Sequence, residues 1–543
     1  MTSAWPQSYY LFGRGLGFSA LLAVLPTLLL LFLLAVKRRA SWIAALAGLA
    51  ATIVLAVGAY GMSWQHTISA AAYGAAFGLF PITWVIYWAL VLYQITVRTA
   101  KFEVIKDSIE SITADGRLQA LLIAFAFGAF LEGCAGFGTP VAVAAAMMVG
   151  LGFAPLYASS LCLLANTAPV AFGSIGIPII TLAAVTGLPI AALSTDVGKI
   201  CAPVSFFIPA YLILVTCGRK AVGAVWPAVL ACGAAFAVVQ FTVSRTMGPQ
   251  LTDILASLAA MGALMLLLRF WQPTEVDTTH LAATERREIR KHSAREVWSA
   301  WMPYMLLVVF VLAWGFGPVQ SFLNRATYTF AWPGLHNEIL RQPPVVREAA
   351  LYGAIFKGNW LSASGTACMF ASLFSALLAR MRIRAFLEEC LYVVRILIFP
   401  TITVTAMLAM AFVMNYCGAT GTLGLAFAAT GASVPFFSSL TGWLGVFLTG
   451  SDTASNALFG NLQVVSASRL GLNPVLMAAA NSAGGVMGKM ISLQSIAVAA
   501  AATGLSVPEQ AKLFRFTLRH SLLLASIVGL EVLMYAYLFH HGA

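Results

Sequence analysis

Phe130-Leu131-Glu132-Gly133-Cys134-Ala135-Gly136-Phe137-Gly138-Thr139-Pro140 decides the fold, read beside Phe447-Leu448-Thr449-Gly450-Ser451-Asp452-Thr453-Ala454-Ser455-Asn456. Both are long apolar runs interrupted midway by glycine and polar residues. The same motifs flank each in the same order. Phe80-Pro81 and Phe399-Pro400 come before. Leu151-Gly152-Phe153-Ala154-Pro155 and Leu470-Gly471-Leu472-Asn473-Pro474 come after, followed by Asn166-Thr167-Ala168 and Asn481-Ser482-Ala483. The spacing from Phe80 to Leu151 equals that from Phe399 to Leu470. An ordered duplication inside a very apolar chain points to a secondary transporter, with its substrate site where the copies meet.

Composition sets the class. Of 543 residues, 60% are hydrophobic and 9% charged, and the mean hydropathy is +0.89. About a quarter of an average soluble domain is charged, so this is an all-α polytopic membrane protein. The net charge of +12 sits in short basic clusters between apolar runs, as in cytoplasmic loops, and does not suggest nucleic acid. The eight cysteines, such as Cys134, Cys162, Cys201 and Cys368, lie in apolar stretches without a CxxC pair. They suggest neither disulfides nor a metal site, and no cofactor is expected. The first apolar run, 18–36, precedes Lys37-Arg38-Arg39 and is expected to remain as a first helix.

The basic clusters orient the path. Lys37-Arg38-Arg39, Arg98/Lys101/Lys106, Arg219/Lys220, Arg286 to Arg295, Arg380/Arg382/Arg384 and Lys512/Arg515/Arg519 are assigned to the cytoplasm. They predict spans near 18–36, 42–60, 78–97, 200–217, 222–244, 250–270, 298–316, 350–378, 391–414 and 517–538. Both termini then face outward, with Arg245, Arg325, Arg341 and Arg347 as exceptions. The first transmembrane half is 1–271, a charged cytoplasmic connector covers 272–297, and the second half is 298–543. A polar loop at 318–346 lies outside. The span at Phe80 ends on a basic flank and the span at Phe399 begins from one, so the copies cross in opposite directions. This is an inverted-topology repeat with broken or re-entrant helices. With the broken segments, roughly 12–14 membrane segments of bilayer length are expected. Breaks are expected at 133–140 and 450–456, and after Asn166 and Asn481. Non-helical backbone at membrane depth is tolerated where protein or water satisfies it, so the matched breaks mark a pathway.

The candidate residues cluster at these breaks. Glu132 is an acid inside an apolar run, suited to carrying a coupling proton or, alternatively, to capping broken-helix amides. Asp452 is its counterpart, either a second proton carrier or an N-cap for a helix starting at Ala454. Lys489 needs a carboxylate partner: Asp452, Glu132 or the substrate. Gly133, Gly136, Gly138, Thr139, Asn166, Thr167, Ser451, Thr453, Asn456, Asn481 and Ser482 complete the expected binding set. Free N–H groups at half-helix amino ends attract anions, which makes a small carboxylate the natural ligand. The asparagines also suit plain caps, and the glycine runs 133–138 and 484–488 also suit close helix packing.

These stretches resemble the bacterial L-lactate permease family. The likeness is carried by Gly128-Ala129-Phe130-Leu131-Glu132-Gly133 through Gly136-Phe137-Gly138, by Asn166-Thr167-Ala168-Pro169-Val170-Ala171-Phe172-Gly173, and by Gly176-Ile177-Pro178. Trp443-Leu444-Gly445-Val446-Phe447-Leu448-Thr449-Gly450-Ser451-Asp452-Thr453, and Gly484-Gly485-Val486 with Gly488-Lys489-Met490-Ile491-Ser492, extend it nearly end to end. Cys134 and Thr139 stand where alanine is expected, and Leu493 where proline is. The resemblance implies symport of lactate or glycolate with protons in a multi-pass bacterial inner-membrane protein, without enzymatic activity. Its partners are then a small carboxylate, protons and the lipid bilayer. A sodium-coupled or exchanging carboxylate carrier is the nearest alternative; a membrane-embedded enzyme or a channel is further off.

Overall fold

The computed structural model describes residues 4–136, 138–274, 290 and 292–538. Most of the expected connector, 275–289 with Lys291, lies outside the described residues, as does Phe137. The described chain is almost wholly helical, with 12 helices long and apolar enough to cross a bilayer. A thirteenth candidate is the pair Pro155–Ala165 and Val170–Thr186, bent by 64° at its break. These runs are uniformly apolar, which lets one face meet lipid while the other packs.

The ends of the molecule are distinguished by contacts. Arg98 pairs with Glu388 at 2.8 Å and Glu389 at 2.6 Å, joining the end of Trp84–Arg98 to the start of Ile383–Cys417. At the far end of Ile383–Cys417, the Gln7 amide donates to the carbonyls of Asn415 and Tyr416. Trp5–Pro6 forms a parallel strand beside Ile339–Arg341, which pairs antiparallel with Ala350–Leu351. At the other end of the described chain, the Tyr537 hydroxyl donates to the Ala432 carbonyl. Both chain ends therefore sit opposite the Arg98/Arg384 end.

Several expected spans are longer in the structure, among them Ile190–Cys217, Ile383–Cys417 and Val507–Tyr537, and two differ in kind. The helix expected at 78–97 begins earlier, within a 35-residue run Trp64–Arg98 that carries a π-helical turn at Gly78–Thr83. Pro81 inside that turn removes one backbone donor, and Phe80 leaves helical geometry there. The span expected at 350–378 is helical only over Ser364–Leu378; Ile355–Gly358 instead pairs with Tyr328–Ala331 in a two-stranded sheet. Lys357 lies on that strand, opposite Thr329.

The breaks expected at 133–140 and 450–456 are narrower among the described residues. Helix runs to Cys134 and resumes at Thr139, and runs to Thr449 and resumes at Asp452; each break is the tip of a helical hairpin. Thr139–Gly150 packs back against the segment 120–134. Asp452–Leu470 folds back on Val434–Thr449, with Ser455 donating to the Gly442 carbonyl and Ser438 to Gln463. The first hairpin starts near the Arg98 end and the second near the chain termini, and both reach one internal cavity, lined by Glu132 of the first and by Gly450 and Ser451 of the second. The contacts between halves are reciprocal. Gly173–Thr186 of the first half packs on Asp452–Leu470, and Leu493–Thr503 of the second half packs on Thr139–Gly150.

The fourth expected break is absent. Pro474–Lys489 is continuous through Asn481-Ser482-Ala483-Gly484-Gly485, and the turn falls at 490–492. The glycines there serve close approach. A Cβ on Gly484 would run into the Ser439 carbonyl oxygen and lie 2.5 Å from Ser439 C and Cα; one on Gly488 would lie 2.9 Å from Phe447 N. Bare helix packs on bare helix, which keeps the backbone ladder intact.

Candidate functional site

Glu132 lies near the end of Gly128–Cys134 and is 4% exposed. Its carboxyl rests over Gly173, where a Cβ would come 2.6 Å from Oε1, and close to Gly136. Only glycine at 173 leaves that room. The Asn166 amide faces Glu132. Neither Glu132 Oε2 nor either Asn166 amide atom has a hydrogen-bond partner among the described residues. The wall beside Glu132 is strained: Ser174, Ile175 and Gly176 have φ of 47°, 61° and 76°. Left-handed backbone costs roughly 1–2 kcal/mol per non-glycine residue, and such strain gathers at functional sites. Ser174 Oγ donates to the Ala135 carbonyl at 3.1 Å, tying this turn to the first tip.

At the second tip, Ser451 caps its helix by accepting from Ala454 N at 3.3 Å. Asp452 is the first residue of that helix rather than its cap. Asp452 is 3% exposed, and its Oδ2 accepts from Ser482 Oγ at 2.5 Å and Asn456 Nδ2 at 3.2 Å. Asn481 Nδ2 donates to Asn456 Oδ1 at 2.9 Å, and Gln463 Nε2 to Asn481 Oδ1 at 3.3 Å. Asn456 also donates to the Pro178 carbonyl of the other half at 3.2 Å. Lys489, 8% exposed, donates to the Gly450 carbonyl at 2.8 Å. It forms no ion pair among the described residues, although the carboxyls of Glu132 and Asp452 are both neighbours.

One cavity of about 410 Å³ collects these groups, within the roughly 300–1,000 Å³ typical of small-ligand sites. Glu132, Ser451, Asp452, Thr453 and Lys489 line it, with Gly173, Ser174 and Gln494. Leu30, Leu34, Trp42, Phe399 and Met407 form its apolar wall, and it reaches Ala40 and Ser41, beside Lys37-Arg38-Arg39. Trp42 and Phe399 stack there at 5.5 Å.

The other expected residues stand back from the cavity. Asn456 and Ser482 support Asp452, and Asn481 supports Asn456. Gly136 lies beneath Glu132, and Asn166 beside it. Gly133 faces Asp253, Gly138 faces Val498, and Thr167 donates to the Leu164 carbonyl. Thr139 starts the returning helix of the first hairpin without lining the cavity. Sequence reasoning missed Gly173 and Ser174, although the glycine and proline density of Gly173-Ser174-Ile175-Gly176-Ile177-Pro178 is a break signal. It also missed Gln494, Asp253 and the Trp42–Phe399 wall. The described residues include no cluster of metal-binding side chains.

A multi-pass membrane protein with two opposed hairpins closing on a buried, charged cavity has the build of a transport protein. The chain belongs to the L-lactate permease family, whose model matches residues 19–539. It is 42% identical over 553 residues to a glycolate permease of Escherichia coli (strain K12), covering 98% of each chain. It is also 42% identical over 553 residues to an L-lactate permease of Bacillus subtilis (strain 168), covering 96% of this chain and 97% of that one. An L-lactate permease of Salmonella typhimurium (strain LT2) is 41% identical, with 98% of each chain covered. Among solved structures, the YdaH transporter of Alcanivorax borkumensis aligns over 95% of this chain and 97% of its own, at 15% identity and TM-score 0.45, too loosely to bear on the site.

Proposed function

We propose that this protein is a secondary active transporter in the bacterial inner membrane that imports L-lactate and glycolate by proton symport. One observation carries the reading: Lys489, Glu132 and Asp452 share a small cavity between two hairpin tips. Charge supplies the physical reason for protons. Lys489 offers one positive charge against two carboxyls, and an incoming carboxylate would add a further negative charge. Burying that imbalance in a low-dielectric interior is costly. Uptake of a proton with each anion removes part of it. The names of the relatives supply the substrate class, small 2-hydroxy monocarboxylates.

In this reading the substrate carboxylate meets Lys489, Ser451, Thr453 and the amide groups at the second tip. Asn456, Asn481 and Ser482 hold Asp452 in place. Gly133, Gly136, Gly138, Thr139, Asn166 and Thr167 shape the first tip. Glu132 is the leading carrier of the coupling proton, with Asp452 the alternative: Glu132 Oε2 and Asp452 Oδ1 each lack a hydrogen-bond partner among the described residues, and Asp452 is further held by two bonds to its Oδ2. The halves 1–271 and 298–543 act as inverted repeats about the connector 272–297. The cavity reaches the basic, cytoplasmic end, as in an inward-facing state.

The test is uptake of labelled L-lactate into proteoliposomes under imposed proton or sodium gradients, competed with glycolate, pyruvate and acetate. Proton-driven accumulation blocked by glycolate is the expected result. Accumulation driven only by sodium, or only by exchange, would replace the symport reading.

A further inference from the structure

Among the buried acids that do not line the cavity, one is singled out by its place beside the first hairpin tip. Asp253 lies in the first turn of Thr252–Phe270 and is 1% exposed. Neither of its carboxyl oxygens has a hydrogen-bond partner among the described residues. It packs on Gly133, where a Cβ would come 2.9 Å from the Asp253 Cβ. Gly133 is the chain neighbour of Glu132, whose Oε2 is unpartnered in the same way. The titratable groups facing Asp253 are Glu132, Cys134 and Cys201. No cation is among them. An ionised carboxylate without donor or counterion is costly to bury, and a protonated one far less so. The helix amino end favours negative charge, yet no backbone N–H reaches either oxygen.

Position gives the acid a direction. Asp253 follows the turn 247–251 between Trp226–Thr246 and Thr252–Phe270. The opposite ends of these helices adjoin Arg219/Lys220 and Arg269, the cytoplasmic side by the positive-inside rule. Asp253 thus approaches Glu132 from the outer side, while the cavity lies towards the inner side.

We propose that Asp253 is a second proton-binding site of the transport cycle, which supplies Glu132 from the outer side. The inference rests on the symport reading above. In the step, the O–H bond of protonated Asp253 breaks and an O–H bond forms on a Glu132 oxygen. The electron pair stays with Asp253, which regains a proton from the outer water. Gly133, lacking a side chain, lets the two acids approach.

The experiment compares wild type, Asp253→Asn and Asp253→Leu in proteoliposomes by two readouts. One is lactate accumulation under a pH gradient; the other is lactate exchange at equal pH. A one-unit gradient drives about tenfold accumulation at one proton per substrate. Both variants are expected to lose that accumulation and keep exchange. Asp253→Leu matters because it removes the polar group whose burial could destabilise the asparagine variant. If wild type accumulates and a variant accumulates equally, Asp253 is structural and the proposal is overturned. Loss of both readouts in both variants overturns it too. If wild type is itself insensitive to the pH gradient, the symport reading falls first and this inference with it.

Discussion

Gly484→Ala should damage this protein far more than its chemistry suggests. The added Cβ would run into the Ser439 carbonyl and stand 2.5 Å from Ser439 C and Cα, where ordinary contact begins at 3.4 Å. The second hairpin must therefore separate from Pro474–Lys489 by about 1 Å. Overpacking by one methyl costs about 1–3 kcal/mol. Both walls here are backbone and cannot rotate aside, so the upper end, about 3 kcal/mol, applies. Lys489 lies five residues further along the same helix, so a shift of about 1 Å also reaches the cavity. Misplacement of that size can cost about a hundredfold in rate. The assay is thermal unfolding in detergent, paired with uptake. The control is Gly262→Ala, since nothing lies within 4 Å of a Cβ there and alanine favours the helix by about 0.5–1 kcal/mol. A Gly484→Ala protein that melts and transports like wild type would refute the packing argument.

Three further outcomes are expected. Glu132→Gln keeps size and hydrogen bonding but cannot titrate, so pH-driven accumulation should vanish while counterflow persists; normal accumulation would pass the coupling role to Asp452. Ser482→Ala removes the 2.5 Å bond to Asp452 and should weaken substrate binding about tenfold, or about 1.4 kcal/mol, read as a raised KM with intact folding; an unchanged KM would remove Ser482 from the binding set. Arg382→Cys should react with impermeant thiol reagent only from the cytoplasm and Asn337→Cys only from outside, against a background of buried or half-buried native cysteines. The reverse pattern would invert the topology.

Much of this was legible in the chain because bilayer physics is strict. Apolar runs had to be helices, and Glu132, Asp452 and Lys489 were conspicuous as charges within them. Their convergence on one cavity followed from the duplicated breaks. What stayed hidden depends on contacts far apart in sequence. Glycines 484, 485 and 488 looked like a break because glycine signals both flexibility and close approach; only Ser439, Asp452 and Trp443 across the gap reveal the second. Asp253 stood near the edge of an apolar run, where an acid passes for a helix-start residue, and its burial depends on Gly133. The strand at Ile355–Gly358 was invisible to hydropathy, since its apolar residues pair with Tyr328–Ala331 instead of entering the bilayer.

The reciprocal packing of the two halves also constrains how the protein is made. Ser159 and Thr503, bonded at 3.0 Å, stand 344 residues apart. At about 5–20 residues per second of synthesis, the first hairpin and the Ser159 helix that follows it wait roughly 17–70 s before their partner helix Leu493–Thr503 is made. During that interval Thr139–Gly150 sits in the membrane without the helix it packs on in the finished protein. Insertion and final assembly are therefore separate events in the life of this chain. A ribosome that stalls before residue 493 leaves a nearly full-length product in which the first hairpin still lacks its packing partner Leu493–Thr503.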